Sequence, residues 1–339
     1  MGGLSMRIML VGGTGCISGD IAALAATRDD IELWLLNRGN RPEFVPEGAH
    51  CIQADISRPD EVREKLGGME FDVVADFLSY GVEQLENTLG IFGERCRQYI
   101  LISSVAVYRI RAQCEIITEA NTIVGNTLWS YGRNKILCER RLQAEHESSG
   151  LDYTIVRPAF TYNRLRILHP VGPSHQRYSW TIASRILQRK PLLMHDDGNA
   201  LCTVTHTEDF AKGFLGLCGN PAAYGEAFHI TSDEYLTWNR LAELVGDALG
   251  ETPVLCHVPA HDLGFELGGD FGEKLISFAN NAVCDSSKVR ALVPEFVCTT
   301  RFAEGVKRTI RFYEENPEFK VIDEAFDRRM DEIAAKYGS

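Results

Sequence analysis

Short apolar runs alternate with longer amphipathic stretches along the first half of the chain. The apolar runs are bounded by glycine or polar residues and predict strands over Arg7–Val11, Ile31–Leu36, Glu70–Asp76 and Gln98–Ser103. Helical periodicity predicts a helix that ends near Thr27 and others over Pro59–Leu66, Gly81–Arg95 and Ser130–Ser148. This alternation indicates βαβ units and a parallel sheet whose strands are buried on both faces.

The second half is more mixed. Helices are predicted over Trp180–Gln188, Glu208–Cys218, Asn239–Leu249, Phe302–Glu315 and Ile322–Lys336. Strands are predicted over Asp152–Arg157, Leu192–Met194, Cys202–Thr205, Phe228–Ile230 and Val254–His257. Residues 164–177 contain Pro, Gly, His and Arg without periodicity and are predicted to form a loop.

A glycine-rich segment, 10–19, directly follows the first strand and opens the first helix. Gly12 and Gly15 fit a G-x-x-G-x-x-G spacing, whereas Ser18 occupies the third slot and Gly19 comes one residue late. Such a turn brings a helix N-terminus, with free N–H groups, against a pyrophosphate. An ordinary strand-to-helix turn would show the same glycine pattern. If the segment does bind a dinucleotide, the predicted site includes Gly12, Thr14, Gly15, Cys16 and Ile17.

The turn and the alternation together predict an α/β fold: a Rossmann-type, doubly wound parallel sheet with a smaller α/β substrate lobe. Residues 6–160 would form mainly the dinucleotide-binding domain. Residues 161–339 would form mainly the C-terminal substrate-binding lobe, with some strands and helices returning to the Rossmann core.

The end of the second strand bears on the choice between NAD and NADP. Asn37 stands where an acidic residue would bind the ribose 2′-hydroxyl of NAD, and Arg38 follows it. A guanidinium here would pair with a 2′-phosphate, which favours NADP. The same side chain could instead lie on the adenine or point to solvent, so both cofactors stay open.

Tyr131 and Lys135 lie four residues apart near the start of a predicted helix, so their side chains share a face. A neighbouring ammonium favours the phenolate, and we expect Lys135 to lower the pKa of Tyr131 and to orient the cofactor. The pair would then exchange a proton with a hydroxyl or carbonyl group. Ser104, at the end of the fourth strand, would hydrogen-bond the reacting oxygen. One of Ser103 and Ser104 is expected to cap the strand end instead.

These motifs resemble the NAD-dependent epimerase/dehydratase group of the extended short-chain dehydrogenase/reductase superfamily. The resemblance rests on the order of segments 12–19, 54–56, 103–108, 131–135, 156–158, 204–209 and 285–288. It implies that Asp55 and Ile56 contact the adenine and that Phe77, Leu78, Ser79 and Ser103 line the cofactor. It further implies that Ser104, Tyr131 and Lys135 form a catalytic triad, that Pro158 borders the nicotinamide, and that two helices (81–95 and 130–148) form a homodimer interface.

Two departures qualify the resemblance. The arginine that sugar-nucleotide epimerases carry before the second-lobe strand is absent from Asn199–Cys202, which weakens the case for a UDP-sugar. No Asp-Glu pair follows Ser104, so dehydration is disfavoured. The sequence thus predicts an NAD- or NADP-dependent oxidoreductase of the epimerase/dehydratase type that acts on a secondary alcohol or ketone of a sugar or sugar nucleotide. The alternatives are an NADPH-dependent carbonyl reductase and a non-catalytic nucleotide-sensing or RNA-binding relative.

The net charge and the cysteine spacing indicate which classes of binding partner the protein is expected to have. The net charge of −12 disfavours nucleic acid, since phosphate backbones are bound largely by Lys and Arg. The ten cysteines show neither a C-x-x-C motif nor zinc spacing, so we expect no metal and a reducing cytoplasm. No apolar run approaches a membrane span. Within the basic loop 164–177, Arg164 and Arg177 are predicted to bind an anionic substrate, although a solvated basic loop is an equal alternative.

Overall fold

The computed structural model describes residues 5–109, 116–120, 122–173 and 175–338. Its strands are β1 Met6–Val11, β2 Ile31–Asn37, β3 His50–Gln53, β4 Phe71–Asp76, β5 Cys96–Ile102, β6 Asp152–Val156, β7 Phe160–Tyr162, β8 Leu192–His195, β9 Leu201–His206, β10 Glu226–Phe228, β11 Tyr235–Thr237 and β12 Leu255–Val258. Its α-helices are α1 Cys16–Ala25, α2 Pro59–Leu66, α3 Val82–Phe92, α4 Ser130–Ser149, α5 Trp180–Leu187, α6 Thr207–Leu217, α7 Trp238–Leu249, α8 Ala260–Leu267, α9 Phe271–Phe278, α10 Ser287–Leu292, α11 Phe302–Glu315 and α12 Glu324–Tyr337.

Seven strands form one parallel sheet in the order β10-β6-β5-β4-β1-β2-β3. The strand order reverses at β1, which pairs with β2 on one side and β4 on the other. Ligands of doubly wound sheets bind outside the carboxyl ends of the strands at such a switch point. The glycine turn leaves β1 at this point, and the predicted Rossmann-type fold is confirmed.

The central strand shows why the sequence folds in this way. Ile8 and Leu10 belong to the core on one face of the sheet, whereas Met9 and Val11 belong to the core on the other. All four side chains are fully buried. Alternate residues of a strand point to opposite faces, so only a strand covered by helices on both sides can bury such a run.

Elements from the second half of the chain complete this sheet. Strand β10 pairs with β6 at the sheet edge, and Phe210 and Phe214 of α6 join the core that contains Ile8. Two small sheets, β11-β9-β7 and β12-β8, lie over a separate core that includes Trp238 and Phe302. The division of the chain near residue 160 stays a prediction.

Some short elements differ from the sequence prediction. The strand expected at Phe228–Ile230 lies two residues earlier, and β3, β7, β11, α8, α9 and α10 were not predicted. Each of these has eight residues or fewer, which is too short for a clear periodicity. Helix α9 is the omission that matters for function, because it lines the cavity described below.

Three features bear on partners. Within the described ranges, no helix is long and apolar enough to cross a membrane. The same ranges contain no group of three or more His, Cys, Asp or Glu side chains arranged to hold a metal ion. The nine cysteines among these residues are free thiols, and Cys114 lies outside the described residues.

Candidate active site

The glycine turn is shaped by two positions that admit no side chain. Gly12 has a φ of +89°, which favours glycine, and a Cβ atom there would come within 2.8 Å of the Leu78 side chain. A Cβ atom at Gly13 would lie 2.5 Å from the Leu35 side chain. The backbone is therefore held bare at the N-terminus of α1, as a cradle for a phosphate group requires.

Ser18 closes this turn in place of a third glycine. Its buried hydroxyl donates to the Gly12 carbonyl oxygen at 2.6 Å and accepts from the Gly15 N–H at 2.9 Å. Gly19, by contrast, faces open space, since a Cβ atom there would have no neighbour within 4 Å. The displaced glycine of the sequence pattern therefore has no structural role in the turn, and the serine replaces it with two hydrogen bonds.

We predict opposite effects for alanine at these two neighbouring positions. Ser18→Ala should lower the free energy of unfolding by about 1–2 kcal/mol, because two local hydrogen bonds are lost. Gly19→Ala should raise it by up to about 1 kcal/mol, because alanine is the better helix former and meets no obstacle. Urea denaturation of the two variants and the wild type measures both values. A larger loss for Gly19→Ala would contradict this description of the turn.

The predicted catalytic residues meet at one cavity of about 580 Å³ beside the turn. Tyr131 and Lys135 lie in the first two turns of α4, and Ser104 follows β5. Gly132 allows this approach, because a Cβ atom there would collide with the Ala106 carbonyl oxygen. Of the sequence-predicted residues, the cavity is lined by Gly12, Gly15, Cys16, Ile17, Phe77, Leu78, Ser103, Ser104, Tyr131, Lys135 and Pro158.

Burial controls the protonation of Tyr131 in this cavity. It raises the pKa of the phenol to about 12, while the Ser104 hydroxyl and the Arg166 charge act in the opposite direction. Lys135, whose ammonium lies 5.9 Å from the centre of the Tyr131 ring, is not among the groups that most affect this pKa, so its lowering of the Tyr131 pKa stays a prediction. A phenol with this pKa holds its proton at neutral pH, so Tyr131 is a potential proton donor.

Lys135 is held in place by backbone groups. Its ammonium donates to the carbonyl oxygens of Ser79 and Ile102, each at 2.7 Å, and lies 4.9 Å from the centre of the Tyr80 ring. Burial lowers its pKa. An ammonium has three N–H donors, so one remains for a ligand in the cavity.

The two serines at the end of β5 have different partners. The Ser104 hydroxyl accepts from the Ala106 N–H at 3.1 Å and so caps the short turn that follows. The Ser103 hydroxyl donates to the Glu139 carboxylate at 2.5 Å. Ser103 is therefore tied to the interior beneath the cavity, whereas Ser104 is the serine beside Tyr131.

A buried ionic network continues from Ser103. Glu139 accepts two hydrogen bonds from the Arg157 guanidinium, at 2.9 and 2.7 Å. Arg157 also donates to the Tyr108 hydroxyl at 2.8 Å, and this hydroxyl lies 2.6 Å from the His229 ring. All five side chains are buried. The network joins α4, which carries Tyr131, to the ends of β5, β6 and β10. Segments 103–108 and 156–158 were noted in the sequence, but their link through Glu139 was not predicted.

The remaining cofactor predictions fall outside this cavity. Asn37 accepts from the Gly39 N–H at 2.9 Å, Arg38 is exposed, and Asp55 accepts from Ser57 at 2.8 and 3.0 Å. The Asn37 and Asp55 side chains cap local turns after β2 and β3. The residues predicted to bind the cofactor that do not line the cavity are Thr14, Asn37, Arg38, Asp55, Ile56 and Ser79.

The two arginines predicted to bind substrate do not line this cavity. Arg164 packs between the rings of Phe44 and Phe312, 5.5 Å from each centre, and Arg177 is exposed beside Tyr178. Arg166 is the arginine of this loop that lines the cavity. A loop without periodicity gives no information on side-chain direction, so the sequence could not distinguish among them.

Helix α9 supplies cavity residues that the sequence did not indicate. Lys274, Ser277 and Phe278 line the wall that faces α4. Glu273 accepts from the Ser130 N–H at 2.7 Å, at the first residue of α4. Helix α9 therefore contacts the start of the helix that carries Tyr131.

Comparison with known proteins identifies this architecture. The model of the NAD dependent epimerase/dehydratase family matches residues 8–230. The chain is 26% identical over 283 residues to a chloroplast stem-loop binding protein of Arabidopsis thaliana, covering 79% of this chain and 68% of that protein. It is 26% identical over 257 residues to 2'-dehydrokanamycin reductase of Streptomyces kanamyceticus, covering 76% and 70%.

Solved structures agree on the fold. An epimerase from Methanothermobacter thermautotrophicus superposes with a TM-score of 0.77 at 15% identity over 94% of both chains. UDP-glucuronic acid 4-epimerase from Bacillus cereus, in complex with UDP-glucuronic acid and NAD, gives 0.70 at 15% identity over 91% of this chain and 99% of that one. The protein is an enzyme, and it belongs to the NAD dependent epimerase/dehydratase family.

Proposed function

We propose that this enzyme transfers a hydride between a nicotinamide cofactor and a secondary alcohol or ketone. One observation carries the proposal: the glycine turn and the side chains of Ser104, Tyr131 and Lys135 open onto the same cavity. The residues fit a dinucleotide, because bare backbone at Gly12 and Gly13 adjoins the start of α1. When bound, the nicotinamide would supply or accept the hydride.

Each cavity side chain then has a distinct task. The Tyr131 hydroxyl donates a proton to the carbonyl oxygen during reduction and receives it during oxidation. Ser104 hydrogen-bonds the same oxygen and so stabilises the charge that develops there. Lys135 has one N–H free for a cofactor hydroxyl, while its other two bond the carbonyl oxygens of Ser79, after β4, and of Ile102, the last residue of β5.

A sugar or sugar nucleotide is the substrate class that the relatives support. UDP-D-apiose/UDP-D-xylose synthase of Oryza sativa is 32% identical over 137 residues, which cover 37% of this chain and 34% of that protein. The relative named 2'-dehydrokanamycin reductase favours the second candidate, a carbonyl reductase that exchanges its cofactor at each turnover. Purified protein that retains its nucleotide through dialysis would favour the epimerase.

An RNA-binding role has the support of one relative, the chloroplast stem-loop binding protein. The net charge of −12 and the intact set of Ser104, Tyr131 and Lys135 argue against it in this chain.

A homodimer through α3 and α4 is proposed on the family resemblance. The two helices lie side by side, joined by Arg141 and Glu86 at 3.1 Å.

For the cofactor we propose NADP, bound at its 2′-phosphate by Arg38. The supporting observations are that Arg38 is exposed just after β2 and that the preceding Asn37 carries no charge to repel a phosphate. Arg38→Gln should weaken NADPH binding by about 10- to 100-fold, which is the value of one charge-assisted pair, and leave NADH binding nearly unchanged. Titration of reduced-nicotinamide fluorescence with each nucleotide measures both. Equal losses for the two nucleotides would contradict the assignment to the 2′-phosphate.

A further inference from the structure

The charge of the cavity is opposite to that of the protein. Among the described residues that line it there is no Asp or Glu, but there are four cationic side chains: Arg109, Lys135, Arg166 and Lys274. The chain as a whole has a net charge of −12. Lys135 is already bonded to two carbonyl oxygens. Arg109 and Arg166 are both exposed, and Lys274 is half-buried. The charge of Arg166 affects the pKa of both Lys274 and Tyr131, so Arg166 and Lys274 are the two cations of the cavity to consider together.

Lys274 is a cation without an anionic partner. Its ammonium lies 4.8 Å from the centre of the Phe271 ring and 5.4 Å from that of Phe278, and no carboxylate of the described residues pairs with it. Burial, together with the charge of Arg166, lowers its pKa to about 8. Removing a cation from water is costly unless an anion or strong acceptor compensates it. The aromatic rings compensate only part of that cost.

Arg166 connects the two parts of the cavity. Burial raises the pKa of the Cys16 thiol in the glycine turn, and the charge of Arg166 acts against this rise. Arg166 acts in the same direction on Tyr131. Arg166 lines the same cavity as Cys16, Tyr131 and Lys274. Among the described residues no carboxylate forms an ion pair with it.

We propose that Arg166 and Lys274 together bind a carboxylate or phosphate group of the substrate, close to the carbon that reacts at Tyr131. This inference rests on the proposed function. The guanidinium fork matches two oxygens of such a group, and the ammonium adds a point charge from helix α9. The enzyme would accordingly favour carbonyl compounds with an anionic group near the carbonyl over neutral analogues.

Inorganic sulfate is a suitable probe, because it has the charge and oxygen geometry of a phosphate group. Calorimetric titration of sodium sulfate into the protein saturated with NADP⁺ is expected to show one site, with sodium chloride at matched ionic strength as the blank. Arg166→Gln and Lys274→Gln should each weaken sulfate binding by about 10- to 100-fold, and Lys274→Arg should retain it. Arg177→Gln, an exposed arginine of the same loop, is the matched control and should bind sulfate like the wild type.

The other source of a phosphate group is the cofactor diphosphate at the glycine turn. Sulfate that competes with NADP⁺, or variants that lose NADP⁺ affinity in proportion to sulfate affinity, would assign the two cations to the cofactor and overturn the proposal. Normal NADP⁺ binding without sulfate binding would overturn this inference alone. Failure of the wild type to bind either NADP⁺ or NAD⁺ would overturn the proposed function, and this inference with it.

Discussion

Replacing Tyr131 with phenylalanine is expected to lower kcat by about 1,000-fold, because proton transfer by a positioned side chain contributes about 10²- to 10⁴-fold to a rate. The hydroxyl is the only group removed, and the ring keeps its contact with Trp129, whose ring centre lies 4.9 Å away. The affinity for the nicotinamide cofactor should stay within about twofold, because Tyr131, also predicted to contact the cofactor, loses only its hydroxyl group and keeps its ring. Steady-state kinetics and a cofactor titration measure the two quantities.

Two further variants sharpen this test. Ser104→Ala should reduce kcat less than Tyr131→Phe, since a hydrogen bond to the reacting oxygen is lost while the proton donor remains. Tyr235→Phe, an exposed tyrosine of β11, controls for loss of a phenol elsewhere and should behave as wild type. Retention of more than a tenth of the wild-type kcat in Tyr131→Phe would mean that another group moves the proton.

Replacing Arg157 with methionine should reduce the free energy of unfolding by about 3–5 kcal/mol, because it leaves a buried carboxylate without its partner. Glu139 would keep one hydrogen bond, from Ser103, and would lose both bonds from the guanidinium. The Tyr108 hydroxyl would lose a donor as well. Urea denaturation of the variant beside the wild type measures the loss.

Two control variants show whether the loss of stability comes from leaving a buried charge unpaired or from breaking any ion pair. Arg240→Met breaks an exposed pair with Glu243, at 2.9 Å, and should change stability by less than about 0.5 kcal/mol. The double variant Glu139→Gln, Arg157→Met should recover part of the loss, because no uncompensated charge remains in the interior. An Arg157→Met variant as stable as the wild type would contradict a structural role for the buried pair.

The parts of the fold that could be predicted are those with strong local patterns. The apolar run that contains Met9 and Leu10 is buried on both faces, and a parallel sheet is the simple way to achieve this. The spacing of Tyr131 and Lys135 places them on one helix face without reference to the rest of the chain. For both features, the local sequence determines the geometry.

The parts that could not be predicted depend on distant contacts. Lys274 reaches the cavity because eight-residue α9 packs against α4, which is some 140 residues away in sequence (Ser130 to Glu273, 143 residues). Arg166 faces the cavity while Arg164 packs between two rings, and no local rule distinguishes them. Ser18 could be noted as a departure from the glycine pattern, but its two hydrogen bonds became evident only in the folded turn.

The central claim is that this cavity holds a nicotinamide beside Tyr131, and a crystal structure of the protein with NADP⁺ or NAD⁺ tests it most directly. We predict the diphosphate at the start of α1, between Gly12 and Ile17, and the nicotinamide ring at the wall formed by Tyr131 and Pro158. A nucleotide bound outside this cavity, or bound within it with the nicotinamide turned away from Tyr131, would contradict the account.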